Sequence, residues 1–400
     1  MEHIYRTYCI IHKLTKMILG RFVSANDVAK EKSIHLKFGV IPETAREKWL
    51  TFISNAKVKE PSDFQNMYNA GYIRETGTWC LPSWIWTNSA MVRMFANNNK
   101  IEDARNIADR LLSFQKDCGG WIVRYDYDKD GAIPILAPND SAYIASNAML
   151  SIFEKTQDNR YIQAAVRCAD WIIKTARPDG MVYVGYDMKR QKWDKSCVIV
   201  DVGFTASLFA HLYELTKEEK YINYLKIFTN RYIELFYVPS KKAFCTNIDA
   251  KNRQNSGLFG RGQAWALEGL IPAYRVLKDD GIKKVIEGTI ETILSKQHKN
   301  GGWAYNLAKP LMGEDCKGIP VIAKVLMDWY AISIDERIKK SAQKALKWCI
   351  NHTSASGDTE GGIFSFCLEG AVVHNLYSTC AFVYASAYAI ELDQIMKQCE

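Results

Sequence analysis

The sequence predicts an all-α fold, an (α/α)6 barrel of six helical hairpins with short β-hairpins in the loops of one rim. Six apolar segments open at Pro82, Asp140, Asp201, Arg261, Ile319 and His374, and the steps between them are 58, 61, 60, 58 and 55 residues. That regularity is too even for chance. Between successive apolar segments lie a second, amphipathic segment and a Gly-rich loop, so the repeating unit is a helical hairpin and six of them close a double ring. In such a ring every inner helix aims its N-terminus at one rim and delivers its first residues there.

The inner and outer helices separate by hydrophobic pattern. Residues 201–212 (DVGFTASLFAHL) carry no charge after the first position, as a helix buried on all sides does. Residues 159–176 place Ile162, Val166, Ala169, Ile172 and Ile173 on one stripe and Arg160, Gln163, Arg167 and Lys174 elsewhere, the signature of an outer helix. The same reading predicts outer helices over 42–55, 101–116, 220–236, 281–297 and 335–352. Each is followed by a loop rich in Gly, Asp and aromatics, including CGGWIVRYDYDKDG, DGMVYVGYD, NGGWAYN and GGIFSF. Their alternating apolar and polar residues suggest short β-hairpins on the rim where inner helices begin. Residues 1–40 stand outside the repeat as an N-terminal arm, and 41–400 form a single barrel domain with no Pro/Ser-rich linker to divide it.

Composition narrows the function. The 11 cysteines have no CxxC spacing, and Cys168, Cys349 and Cys380 fall within helical patterns, which favours reduced thiols. The N-terminus has no apolar run long enough for a secretory signal or a membrane span, so a cytoplasmic location is expected. The formal charge of +8, from 52 basic and 44 acidic residues, is not clustered into runs and suits an anionic small substrate better than nucleic acid. No HExxH, zinc spacing, P-loop or dinucleotide motif is present, and no cofactor is expected. Asp126, Asp128, Asp130, Gly131 and Ile133 match the first half of a Ca²⁺ loop, but its twelfth position is Ala137, and an acidic hairpin turn is the default reading.

The candidate chemistry lies on the rim. Asp140 and Asp201 open neighbouring inner helices at the same height, and two carboxylates facing one cavity are what acid–base chemistry on a glycosidic or enol-ether bond requires. Helix capping is the competing use of each. The apolar run at Cys197–Val200 favours a desolvated Asp201 with a raised pKa. Arg261 opens the next inner helix, against the helix dipole, an arrangement that a planar carboxylate ligand would offset. Trp265, one turn on, offers a floor for a sugar ring. Trp86, Trp121, Tyr125, Tyr186, Trp193, Trp303 and Tyr305 lie in or beside the rim loops, where rings stack on sugars or pack hairpins. His374, at the sixth inner helix, is a further rim candidate.

The string FGRGQAWALEGL, with Phe259, Arg261, Gln263 and Trp265, resembles the SxWxRGQAWxxYG signature of the unsaturated glucuronyl hydrolases and, more loosely, the RGNGW of unsaturated rhamnogalacturonyl hydrolases. Both are (α/α)6 barrels. Asp201 and Asp140 fall where that family places a catalytic Asp one repeat before the signature and a second Asp one repeat earlier. Around the first, the family pattern HDxGF reads Asn139, Asp140, Ser141, Ala142 and Tyr143 here. The resemblance implies hydration of the C4=C5 bond of an unsaturated uronic acid, with Asp201 as general acid/base, Asp140 its partner, and Arg261 with Trp265 holding an acidic oligosaccharide. Gln263, Phe259, Trp121, Tyr186 and His374 complete the expected binding set. Two other readings stay open: a sugar epimerase or lyase on the same toroid, and a sugar-binding barrel without catalysis. An epimerase or lyase needs rim His or Tyr bases, for which His374 and a few tyrosines qualify. The DxDD and DDxxD motifs of terpenoid cyclases are absent.

Overall fold

A computed structural model describes residues 38–399 apart from 60–63, 74–77, 81–84, 127–130, 310–312, 358 and 366–379. The arm expected over 1–40 therefore lies outside the described residues except for its last three, and His374 lies outside them too. Six outer helices are described: α1 (Pro42–Asn55), α3 (Ile101–Ser113), α5 (Asn159–Thr175), α7 (Glu219–Phe236), α9 (Asp280–Ser295) and α11 (Glu336–Asn351). They alternate with six inner ones. These are α2 (Ile85–Asn97), α4 (138–156), α6 (Phe204–Thr216), α8 (Gly260–Leu277), α10 (Gly318–Ser333) and α12 (Val383–Gln398). Each inner helix packs on the next in chain order and α12 closes onto α2, while α1 packs on α12 and joins the two ends of the chain. The all-α double ring is thus observed as expected.

Helix boundaries follow local chemistry. Asp158, Asp279 and Asp335 cap α5, α9 and α11, each side chain accepting a backbone N–H of the first turn. Pro42 occupies the first turn of α1, where its missing N–H costs nothing. Inner helix α4 is interrupted: α-helical at Pro138–Ile144, it turns π-helical at Ala145–Leu150 and resumes at Ser151–Thr156. Within the wide turn, Ser146 and Asn147 both donate to the Tyr143 carbonyl.

The sixth inner helix begins later than expected, at Val383. Cys380–Phe382 is instead a strand, antiparallel to Gly71–Ile73, with Ala381 opposite Tyr72. Of the other rim loops, the first two form the predicted strands, whereas NGGWAYN makes only isolated bridges, Ala304 with Glu314 and Asn306 with Phe259, and Phe364–Ser365 pairs with Cys380–Phe382. Strands Ile122–Asp126 (β1), Gly131–Leu136 (β2), Gly185–Asp187 (β3) and Lys192–Asp194 (β4) make one antiparallel sheet in that order. Cys197–Ile199 (β5) pairs with Asn247–Asp249 (β6) in a separate ribbon.

The GGW loops serve the scaffold. In both, a glutamine side chain donates across to the next outer helix, Gln115 to the Gly119 and Ala164 carbonyls and Gln297 to those of Gly301 and Ser341. Gly301 sits at φ +99°, and a Cβ there would lie 2.1 Å from the Lys344 carbonyl oxygen. Gly301→Ala combines an unfavourable φ with a backbone clash, and is expected to lower unfolding free energy by about 1–3 kcal/mol in urea titration. An unchanged midpoint would show that the loop yields freely. Trp121 and Trp303 follow these turns inward: both are fully buried, donating indole N–H to the Leu111 and Ile293 carbonyls. Trp121, expected on the open face, is a core residue.

Candidate active site

Asp140 lies in the first turn of α4, directly after β2, with Pro138 and Asn139 before it. Asp201 lies in a 3-10 turn, Val200–Gly203, between β5 and α6. That turn is held from outside by Tyr232 of α7, whose hydroxyl donates to the Val200 carbonyl at 2.7 Å. From inside it is pressed by α8: a Cβ at Gly269 would stand 2.1 Å from the Gly203 carbonyl oxygen, so only glycine allows the two inner helices this approach. Neither aspartate serves as the N-cap of its α-helix; that position is Ala137 in α4 and Gly203 in α6.

The two carboxyls share one neighbour. The side-chain amide of Asn139 donates to Asp201 at 2.9 Å and, more weakly, to Asp140 at 3.3 Å. Both aspartates keep partial solvent access while crowded by protein, as groups on a cleft floor do. Burial pushes Asp201 up to about 6, opposed by the Asn139 amide, the nearby Arg261 guanidinium and two backbone N–H groups. Asp140 is pushed well above the ordinary carboxylate range, first by burial and then by the Asp201 charge. Removing the amide should relax the downward pull on Asp201. Asn139→Ala is predicted to raise the pKa of Asp201 and move the alkaline limb of any pH–rate profile to higher pH. A limb that stays in place would show that Asp201 does not control it.

Arg261 is the second residue of α8 and 6% exposed. Its guanidinium carbon lies 5.1 Å from the Phe259 ring centroid and 4.9 Å from that of Trp265, gripped between two aromatic faces, with Asp315 at 3.9 Å. Lys317 opens α10 and is equally enclosed, its Nζ 4.1 Å from the Phe382 ring centroid. Two buried cations thus stand on the helices that follow the two acids. Phe259 also packs on Tyr305, at 4.8 Å between ring centroids.

One turn below the acids runs an arc of rings from five inner helices. Tyr384 meets Trp86 at 5.3 Å, Trp86 meets Tyr143 at 6.1 Å, Tyr143 meets Phe204 at 4.6 Å, and Phe204 meets Trp265 at 5.9 Å. The sequence holds a signal for this floor that composition alone hides. Tyr143, Phe204 and Trp265 stand three or four positions after Asp140, Asp201 and Arg261, on the same helix faces.

The structure brings Asp140, Asp201, Arg261, Phe259 and Trp265 into one neighbourhood, together with Asn139 and Lys317, which the sequence reading did not single out. It separates others from it. Gln263 is fully buried and its amide is committed, accepting from Phe244 N–H and donating to the Phe244 and Phe259 carbonyls, so it braces backbone rather than meeting a ligand. Tyr186 sits on the outer sheet against Trp193. Asp128 and Asp130 lie outside the described residues, and Asp126 is seen only as backbone paired with Gly131 at a hairpin end. Among the described residues no group of three His, Cys, Asp or Glu side chains is arranged to hold a metal. No described helix is long and apolar enough to cross a membrane.

The sequence profile of Glycosyl Hydrolase Family 88 matches residues 82–393. The chain belongs to this family. It is a glycoside hydrolase with the six-hairpin barrel of its kind. Among solved structures, an unsaturated glucuronyl hydrolase specific for heparin superposes with a TM-score of 0.70 at 14% identity, over 89% of this chain and 98% of that one. The unsaturated glucuronyl hydrolase of Bacillus sp. GL1 gives 0.69 at 15% identity, over 89% and 97%. The cellobiose 2-epimerase of Spirochaeta thermophila DSM 6192 gives 0.69 at 11% identity, over 89% and 98%, so the barrel by itself does not choose between hydrolysis and epimerisation. No curated protein matches the family 88 chain described here.

Proposed function

We propose that this family 88 hydrolase acts on unsaturated uronyl oligosaccharides by hydrating the C4=C5 bond. The observation that carries the reading is the pair of partly buried carboxyls sharing the Asn139 amide beside an aromatic-clamped arginine. A carboxyl of pKa about 6 divides its time between acid and base near neutrality, which is what a group that gives a proton and takes one back needs. In its protonated form Asp201 delivers its proton to C4 as water adds at C5, and the carboxylate so formed accepts the proton that water loses. The resulting C5 hemiketal opens to a ketone, and the hemiacetal exposed at C1 expels the next sugar. Asp140, whose charged form is disfavoured by burial and by the Asp201 charge, donates a hydrogen bond to the sugar.

Arg261 and Lys317 supply positive charge for the uronate carboxylate, and the ring arc gives an apolar floor for the pyranose. Epimerisation would call for proton removal from a sugar carbon by a basic side chain. The described site offers instead two carboxyls whose charged forms burial disfavours, one of them held at about 6.

Loss of ultraviolet absorbance from a panel of unsaturated uronyl disaccharides tests this reading. Turnover should consume the conjugated double bond. Release of saturated sugar with the absorbance intact would mean ordinary glycosidic cleavage, and epimerised product would move the chain to the other chemistry of this barrel.

A further inference from the structure

We propose that a second groove, on the outer side of the same rim, binds the acidic oligosaccharide chain that continues beyond the sugar held at Asp140 and Asp201. The inference rests on the acidic-saccharide reading above and extends it to residues on the β3–β4 hairpin. The groove has a volume of about 800 Å³ and is lined by Ile135 of β2, by Arg190, Lys192, Trp193 and Lys195 of the hairpin and its exit, and by Ser196. That volume falls in the range of about 300–1,000 Å³ usual for ligand sites. Its walls belong to the segments that lead into the two acids. Ile135 lies five residues before Asp140, and Ser196 five before Asp201.

The lining is built to be rigid and positive. Gly185 presses on Ile135, whose side chain would stand 2.6 Å from any Cβ added there, so the strand lies flat against β2. Trp193 is locked among Tyr183 at 5.2 Å, Tyr186 at 5.1 Å and Trp171 at 6.2 Å. The two acids of the lining are already used. Asp187 accepts the backbone N–H groups of Lys189 and Arg190, and Asp194 accepts that of Ser196, so both hold the turns of the hairpin. Lys192 and Lys195 make no ion pair among the described residues, and the Arg190 side chain is 83% exposed with Asp187 at 3.7 Å.

Three cations and two carboxylates thus line the groove from one hairpin, with Asp187 beside Arg190, which leaves an excess of positive charge carried by Lys192 and Lys195. Groups of this kind recognise carboxylates or sulfates spaced along a glycan, and a neutral sugar chain gains little from them. They act at long range and are screened by salt, so their effect should grow with chain length and fall with ionic strength.

The test compares kcat/KM for an unsaturated disaccharide and an unsaturated tetrasaccharide of one acidic series, with carboxylate-only and sulfated members. Wild type should favour the tetrasaccharide by about tenfold at low salt, the sum of a few partly screened charge contacts. In Arg190→Ala/Lys192→Ala/Lys195→Ala, and in Lys192→Glu/Lys195→Glu, that ratio should fall to about one. Calorimetric titration with a saturated tetrasaccharide gives a readout independent of catalysis: wild type should bind, and the variants should lose about tenfold in affinity. A ratio unchanged in both variants, or saturated chains bound equally by all three proteins, would overturn the groove. If no unsaturated substrate is turned over, the hydration reading fails, and the titration still decides the groove.

Discussion

Asp201→Asn is expected to lower turnover of the true substrate by about 10²- to 10⁴-fold, the usual worth of a general acid–base group, while leaving the fold more stable than wild type near neutrality. The two effects have one cause. A carboxyl held at about 6, above its ordinary 3.8, keeps its proton more tightly in the folded chain than in the unfolded one. Its contribution to stability is complete below about pH 4 and is lost as pH rises through 6, where the fold must ionise a desolvated group. Above that the penalty is constant, at most about 3 kcal/mol for a shift of this size. Asparagine removes the ionisation and keeps an oxygen for the Asn139 amide. Unfolding titrations at pH 7 and pH 4 should therefore show the variant ahead at the first and the gap narrowed at the second. An inactive variant that is also less stable at pH 7 would point to structural damage.

Glu391→Ala is expected to cost about 3–5 kcal/mol of unfolding free energy, the penalty for leaving one partner of a buried ion pair uncompensated. Arg93 of α2 donates to both oxygens of Glu391 of α12, Nε to Oε1 at 2.9 Å and Nη2 to Oε2 at 2.7 Å. This pair joins the first inner helix to the last and so ties the ring shut. Around it, Glu268 of α8 lies 4.0 Å from Arg93 and accepts from the Tyr388 hydroxyl at 2.6 Å, and Tyr388 shares a further hydrogen bond with Tyr143 at 3.0 Å. Arg93 also stands over the Tyr388 ring, 4.6 Å from its centroid. With Glu391 gone, the guanidinium stays enclosed with its best acceptor missing. Arg93→Met/Glu391→Leu should recover most of the loss in the same urea titration, since the charges leave together. Equal losses in the single and the double variant would show that packing, not charge, holds the closure.

The barrel was legible because its two helix types differ in the property that periodicity reports. Outer helices bury one stripe and inner helices bury every side, and the expected 42–55, 159–176 and 335–352 correspond to Pro42–Asn55, Asn159–Thr175 and Glu336–Asn351. The sixth inner helix was misplaced for the complementary reason. The short apolar run Cys380–Phe382 ahead of Val383 is a strand, and such a run does not distinguish a buried strand from the start of a buried helix.

In the site, spacing carried Arg261 and Trp265, which are four residues apart and share a face. Gln263 stands two residues from Arg261, roughly 200° around the helix, and faces the Phe244 backbone instead. Trp121 and Trp303 read as rim residues because they lie in the loops that precede inner helices. The positive φ of Gly119 and Gly301 turns the chain so that both rings enter the core. The Asn139 amide, the enclosure of Lys317 and the Arg93–Glu391 pair depend on partners 62 to 298 residues away in the chain. No local pattern encodes them.

Turnover in heavy water, followed by proton NMR of the released sugar, tests the central claim most directly. Hydration through Asp140 and Asp201 predicts one solvent deuterium at C4 of the product, conversion of the C4 vinyl signal to that of a saturated CHD group, and neither event in Asp201→Asn. A product that keeps its C4=C5 bond, or that carries deuterium at C2 instead, would contradict hydration and assign the carboxyl pair to a different reaction.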